Sequence, residues 1–83
     1  MTEYEKLFTM TLHERLKGII RGGIHIVVTP DDVLRIKIAC DNFIFIAKFG
    51  DFSNKIRSGW TTEYAAYEVE KLFRSYIKNR YFV

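Results

Sequence analysis

An α+β fold in the order α-β-β-β-α, with a three-stranded antiparallel sheet and its two helices packed mainly on one face, follows from three observations. Apolar residues recur at helical spacing at both ends of the chain. Three short runs rich in β-branched and aromatic residues lie between them. Thr29-Pro30-Asp31-Asp32 and Asp41-Asn42 punctuate those runs as turns. At 83 residues and 48% hydrophobic, the chain supplies one core, so residues 1–83 read as a single domain.

The first helix is expected over Thr2 to Arg21, where Tyr4, Phe8, Leu12, Leu16, Ile19 and Ile20 share a face and Gly22-Gly23 supplies a stop. Thr2 with Glu5 and Thr11 with Glu14 each match a capping box, and both starts stand. Ile24-His25-Ile26-Val27-Val28 is a first strand. Val33 to Ala39 alternates strictly, setting Leu34, Ile36 and Ile38 against Arg35 and Lys37, and Asp41-Asn42 turns the chain into Phe43 to Phe49. With Asp41 and Asn42 as the loop, Leu34, Ile36 and Ile38 face Phe49, Ala47 and Phe45. The opposite face then carries Arg35, Lys37, Ile44, Ile46 and Lys48.

Gly50 to Gly59 reads as an irregular connection, with room for a short helical turn, anchored by Phe52 and Ile56. Trp60 is expected to staple that connection to the core. The closing helix starts at Thr61 or Thr62 as N-cap and buries Ala65, Val69, Leu72, Phe73, Tyr76 and Ile77.

The residue types exclude most chemistry. Cys40 is the only cysteine, so no internal disulfide forms, and with His13 and His25 it makes no structural zinc set. Cys40 reads as a small buried hydrophobe, His25 as a strand residue, His13 as surface, and Asp31-Asp32 as a solvated turn. Gly22-Gly23 lacks the Lys-Ser/Thr of a phosphate loop. No catalytic set, metal site or cofactor is expected, and the chain reads as a non-enzyme. No apolar run reaches the roughly 20 residues of a membrane span. Thr2-Glu3-Tyr4-Glu5 stands where a secretion signal would be basic, so a cytoplasmic location is expected.

What remains is binding. Thirteen Lys/Arg against ten Asp/Glu give a net charge of +3, which favours an acidic partner only mildly. The mixed sheet face of Arg35, Lys37, Ile44, Ile46 and Lys48 is one candidate surface. The outer side of the closing helix, with Tyr67, Glu70, Lys71, Arg74 and Lys78, is the other. Tyr64 and Tyr81 add partly exposed rings, and Lys71, Arg74, Lys78 and Arg80 form a basic stripe. The alternative to a protein-binding role is a small nucleic-acid-binding module using these cations on phosphates. Strand edges also admit a homo-oligomer.

The order of elements is similar to that of double-stranded-RNA-binding domains, but Ser58-Gly59-Trp60-Thr61-Thr62-Glu63 holds no Lys-Lys pair at the start of the closing helix. Arg57-Ser58-Gly59-Trp60-Thr61-Thr62-Glu63-Tyr64 resembles a Gly-Trp-x-x-Glu-Tyr segment of small phage-encoded anti-CRISPR proteins that inhibit type II CRISPR nucleases. This resemblance implies a phage-type inhibitor or regulator that sterically blocks a host protein such as a CRISPR effector nuclease, in the host cytoplasm. Acidic side chains act as DNA mimics in that family, which singles out Glu63, Glu68 and Glu70 here. A net positive chain instead implies coverage of a catalytic domain, competition with guide RNA, or docking on an acidic surface.

Overall fold

The computed structural model describes residues 3–20, 23–38 and 43–81, in the order α1 (Glu3–Lys17), β1 (Ile24–Val28), β2 (Val33–Ile38), β3 (Phe43–Lys48), α2 (Phe49–Arg57) and α3 (Thr62–Tyr81). The strands form one antiparallel sheet with β2 in the centre. Its inner face presents Ile24, Leu34, Ile36, Ile38 and Phe45 to α1 and α3, so the α+β class and three-stranded sheet stand as expected, with a third helix added.

α1 already runs at Glu3, so the later start at Thr11 is not used. Glu3 and Glu5 lie in its first turn and Arg15 and Lys17 in its last, each sign suited to the helix dipole. Phe8, Leu12 and Leu16, spaced by four, are fully buried. The helix stops at Lys17 and not at Arg21. Gly18 weakens the next turn, and the N–H groups of Ile19 and Ile20 close on the Leu16 carbonyl while both side chains lean on the core. Thr2 and Gly22, invoked above as cap and stop, lie outside the described residues.

The β1–β2 turn is tied by the Asp32 N–H to the Thr29 carbonyl (3.0 Å) and by the Thr29 N–H to the Val33 carbonyl (2.9 Å). Asp32 takes φ 57°, the left-handed region that aspartate tolerates. Its carbonyl also accepts the N–H groups of Phe49 (2.7 Å) and Gly50 (3.2 Å). These donors are the orphan amides of α2, which has no side-chain cap, so the turn terminates β3 and starts the helix.

That bond explains a correction in register. Leu34, Ile36 and Ile38 pair with Ala47, Phe45 and Phe43, two residues away from the expected Phe49, Ala47 and Phe45. Phe49 is drawn into α2. A shift of two preserves which side chains face the core. Ala39, Cys40, Asp41 and Asn42 lie outside the described residues.

The expected irregular connection is helix α2. Phe49 and Ser53 are buried and Phe52 and Ile56 half-buried on one helical face. Phe8 meets Phe49 edge-on at 5.3 Å and stacks on Phe52 at 6.3 Å, welding α1 to α2. The Tyr4 hydroxyl adds a hydrogen bond with Ser53 Oγ (3.0 Å) and accepts one from Arg57.

α2 ends in a paired closure. The Gly59 N–H bonds the Ile56 carbonyl (3.2 Å) and the Trp60 N–H the Lys55 carbonyl (2.9 Å), a Schellman geometry that requires the positive φ of 132° at Gly59. Thr61 then caps α3, its Oγ1 accepting the Tyr64 N–H at 3.0 Å. Trp60 packs on the core as expected, with the Lys55 ammonium over its ring. Along α3 the buried stripe is Ala65, Ala66, Val69, Glu70 and Phe73, with Tyr76 and Ile77 half-buried. The small residues Ala65 and Ala66 let α3 lie close against α1, and Phe73 and Tyr76 both meet Phe45 at 5.5 Å. Leu72, expected in the core, is 51% exposed on the flank beside β3.

Candidate functional site: the open sheet face

Alternation along the strands sends every second side chain away from the helices. The outward set is His25, Val27, Val33, Arg35, Lys37, Ile44, Ile46 and Lys48, and no element covers it among the described residues. The register arranges these residues in rows. Val27, Arg35 and Ile46 lie side by side, as do His25, Lys37 and Ile44, and Val33 stands beside Lys48. Two cations therefore occupy the central strand, Arg35 between Val27 and Ile46 and Lys37 between His25 and Ile44. Ile46 is 58% exposed, Val27 54% and Ile44 46%, so β-branched apolar surface stands among the cations. Among the described residues no outward position carries an acid, and the one ring there is the imidazole of His25.

The five sheet residues named from sequence, Arg35, Lys37, Ile44, Ile46 and Lys48, are thus brought together. His25 and Val27 join them. Val27 escaped notice because β1 is nearly uniformly apolar, and only pairing with the alternating β2 tells its outward from its inward positions.

The second expected surface is arranged otherwise. Glu70, expected on the outer side of α3, is buried at 8% exposure between α1 and α3. Arg15 Nη1 donates to its Oε1 and Arg74 Nε to its Oε2, both at 2.9 Å. Arg15 Nη2 also donates to Glu63 Oε1 at 2.9 Å. Burial pushes the Glu70 carboxyl up, but the hydrogen bonds from Arg15 and Arg74, with their charges, hold it below its ordinary value. Lys71 pairs with Glu68 at 3.4 Å, and the Tyr67 ring lies beneath both Arg15 (5.6 Å) and Lys71 (5.4 Å). Tyr64 packs edge-on against Trp60 at 4.7 Å, and its hydroxyl is pushed up by hydrogen bonding to Glu68 and by that carboxylate's charge.

Glu63, Tyr67, Glu70, Lys71 and Arg74 therefore engage one another and Arg15. Lys78 is exposed at the far end, while the side chains of Arg80 and Tyr81 lie outside the described residues. By contrast Arg35, Lys37 and Lys48 take part in none of the ion pairs among the described residues.

A groove of about 500 Å³ runs beside β3, between Ile46 and Lys48 on one side and Leu72 and Tyr76 on the other. Among the described residues no three His, Cys, Asp or Glu side chains converge as a metal site, and no helix is long and apolar enough to cross a membrane. No protein family, curated protein or solved structure matches the chain.

Proposed function

We propose that this protein acts by binding, setting its open sheet face on an acidic, partly apolar surface of a protein partner and blocking that surface sterically. One observation carries the reading. The central strand raises Arg35 and Lys37, with Lys48 beside them, among exposed Val27, Ile44 and Ile46, and no acid among the described residues stands on that face. Apolar surface supplies association energy, and unpaired cations supply orientation and choice of an acidic partner. The partner class is the one the Gly59 to Tyr64 resemblance implies, a host CRISPR effector nuclease, with the protein as a phage-type inhibitor.

The nucleic-acid alternative draws on the same sheet cations, since the α3 cations Lys71 and Arg74 are engaged with Glu68 and Glu70. It is the weaker reading because, among the described residues, His25 is the one ring on the outward side that could stack a base.

The test is DNA cleavage by a guide-loaded type II effector nuclease, with the wild-type protein and with the Arg35→Ala/Lys37→Ala/Lys48→Ala variant in molar excess. Inhibition by the wild type and its loss in the folded variant are expected. Equal inhibition by both would remove the sheet face from consideration, and no inhibition by either would remove this partner class. Fluorescence anisotropy with single-stranded DNA, duplex DNA and duplex RNA separates the alternative. Contact of three cations with phosphates makes log K fall by about 3 per tenfold rise in salt, and such a slope would displace the protein-partner reading.

A further inference from the structure

β3 is an edge strand, hydrogen-bonded to β2 on one side only. Among the described residues, none of the backbone hydrogen bonds made outside helices and strands ends on positions 43–48. Its second edge therefore leaves alternate N–H and C=O groups without a strand partner among the described residues. Proteins that stay monomeric blunt such an edge with a central charge, a proline, a bulge or a covering loop. β3 reads Phe-Ile-Phe-Ile-Ala-Lys, with its one charge at the last position, and its pairing with β2 runs unbroken from Phe43 to Lys48. The open groove lies along this edge, with Ile46 and the exposed Leu72 in its walls.

We propose that the β3 edge pairs with the β3 edge of a second copy of this chain, giving a symmetric dimer with a continuous six-stranded sheet. The self-complementarity of the strand argues for this occupant. Antiparallel pairing about a two-fold axis must match a residue with itself, because an offset by one would set inward against outward side chains. The charge-free stretch Phe43 to Ala47 has Phe45 at its midpoint. A dyad there sets Ile44 of each copy opposite Ile46 of the other, so each exposed isoleucine gains an apolar cross-strand neighbour while its outward side stays open. Each Lys48 falls outside the central pairs, so no like charges meet across the junction despite the net charge of +3. The β1 edge is the poorer candidate, since α1 packs along β1 and His25 lies within its five residues.

This inference goes beyond the binding reading and does not depend on it. The dimer joins two copies of the sheet face and leaves Arg35 and Lys37 on the central strands, away from the junction. Sedimentation equilibrium of the full chain between roughly 10 µM and 1 mM, the span over which a modest interface becomes populated, gives the first readout. A reversible monomer–dimer equilibrium is expected. In a sample mixing isotope-labelled and unlabelled protein, nuclear Overhauser contacts between the Ile44 and Ile46 methyls of different molecules are expected as well.

Ile46→Lys places a charge mid-edge at a position 58% exposed, where the monomer fold is untouched. It is expected to raise the dimer dissociation constant at least about tenfold, as loss of two cross-strand pairs and their burial requires. A protein monomeric at every concentration would overturn the proposal, whether or not the edge accepts a foreign strand. So would a dimer that Ile46→Lys, folded by circular dichroism, leaves unweakened, or one without intermolecular contacts at Ile44 and Ile46. The Arg35→Ala/Lys37→Ala/Lys48→Ala variant retains the dimer, which keeps failure here distinct from failure of the partner-binding reading.

Discussion

Replacing Glu70 by Gln removes a charge and almost no volume, and the structure fixes what is lost. The carboxylate accepts one hydrogen bond from Arg15 on α1 and one from Arg74 on α3, each at 2.9 Å, with its side chain only 11% exposed. A glutamine retains one acceptor oxygen and turns its NH2 group toward the other guanidinium. Hydrogen bonds to charged groups contribute about 1.5–3 kcal/mol each. Arg74 is 58% exposed and recovers water, and Arg15 keeps Glu63, so the net loss is set nearer the lower end, about 2 kcal/mol. For a domain of this size that lowers Tm by roughly 8–16 °C.

The pH dependence has a definite sign. A carboxylate held below its ordinary value in the folded state contributes stability above its unfolded pKa and loses it as pH falls through the folded value. The gap between wild type and Glu70→Gln is therefore expected to hold above about pH 5 and to close at lower pH. Thermal unfolding followed by circular dichroism at neutral pH and along an acid series measures both. A variant within about 2 °C of wild type at neutral pH, or a gap that widens on acidification, would refute the assignment of Glu70 as the tie between α1 and α3.

Two further substitutions examine the junction between α2 and α3, with chemical denaturation as the readout. Gly59→Ala has open space for its methyl group but must hold φ near 132°, so it is expected to cost about 1–3 kcal/mol through backbone strain alone. Thr61→Ala removes the oxygen that accepts the Tyr64 N–H and is expected to cost about 1 kcal/mol, with Thr61→Asn restoring most of it.

Local sequence carried the elements whose cause is local. Period-two alternation in Val33 to Ile38 placed Arg35 and Lys37 on one face whatever the register, so the sheet half of the candidate surface survives the two-residue shift in pairing. The Thr61 cap was legible because capping is a matter of adjacent residues. Helix α2 was not, because Gly50, Asp51, Ser53 and Asn54 are all weak helix formers, and the segment is held by burial of Phe49 and by a carbonyl from Asp32 in a distant turn. Glu70 and Leu72 were misplaced for a related reason. A carboxylate at a core-facing position becomes tenable only when a guanidinium arrives from 55 residues earlier, and Leu72 then turns to the flank.

The distribution of cations follows from the same packing. Setting α3 closely against α1 brings Arg15 between Glu63 and Glu70, while Arg74 and Lys71 find acids on their own helix. Arg15, Lys71 and Arg74 are thereby neutralised inside the monomer, and a partner would have to break ion pairs to use them. β2 lies between two strands that carry no acid, so Arg35 and Lys37 keep their charge for whatever approaches. The segment Gly59 to Tyr64 decides this division. Gly59 closes α2, Trp60 anchors the turn, Thr61 caps α3, and Glu63 meets Arg15, so each of these residues fixes how α3 is laid across α1. In the proposed binding role its contribution is geometric: by holding both long helices on the inner side of the sheet, it keeps the outer side bare. Substitutions in this segment should accordingly lower stability first and weaken partner binding only as the fold is lost, whereas substitutions at Arg35, Lys37 and Lys48 should do the reverse.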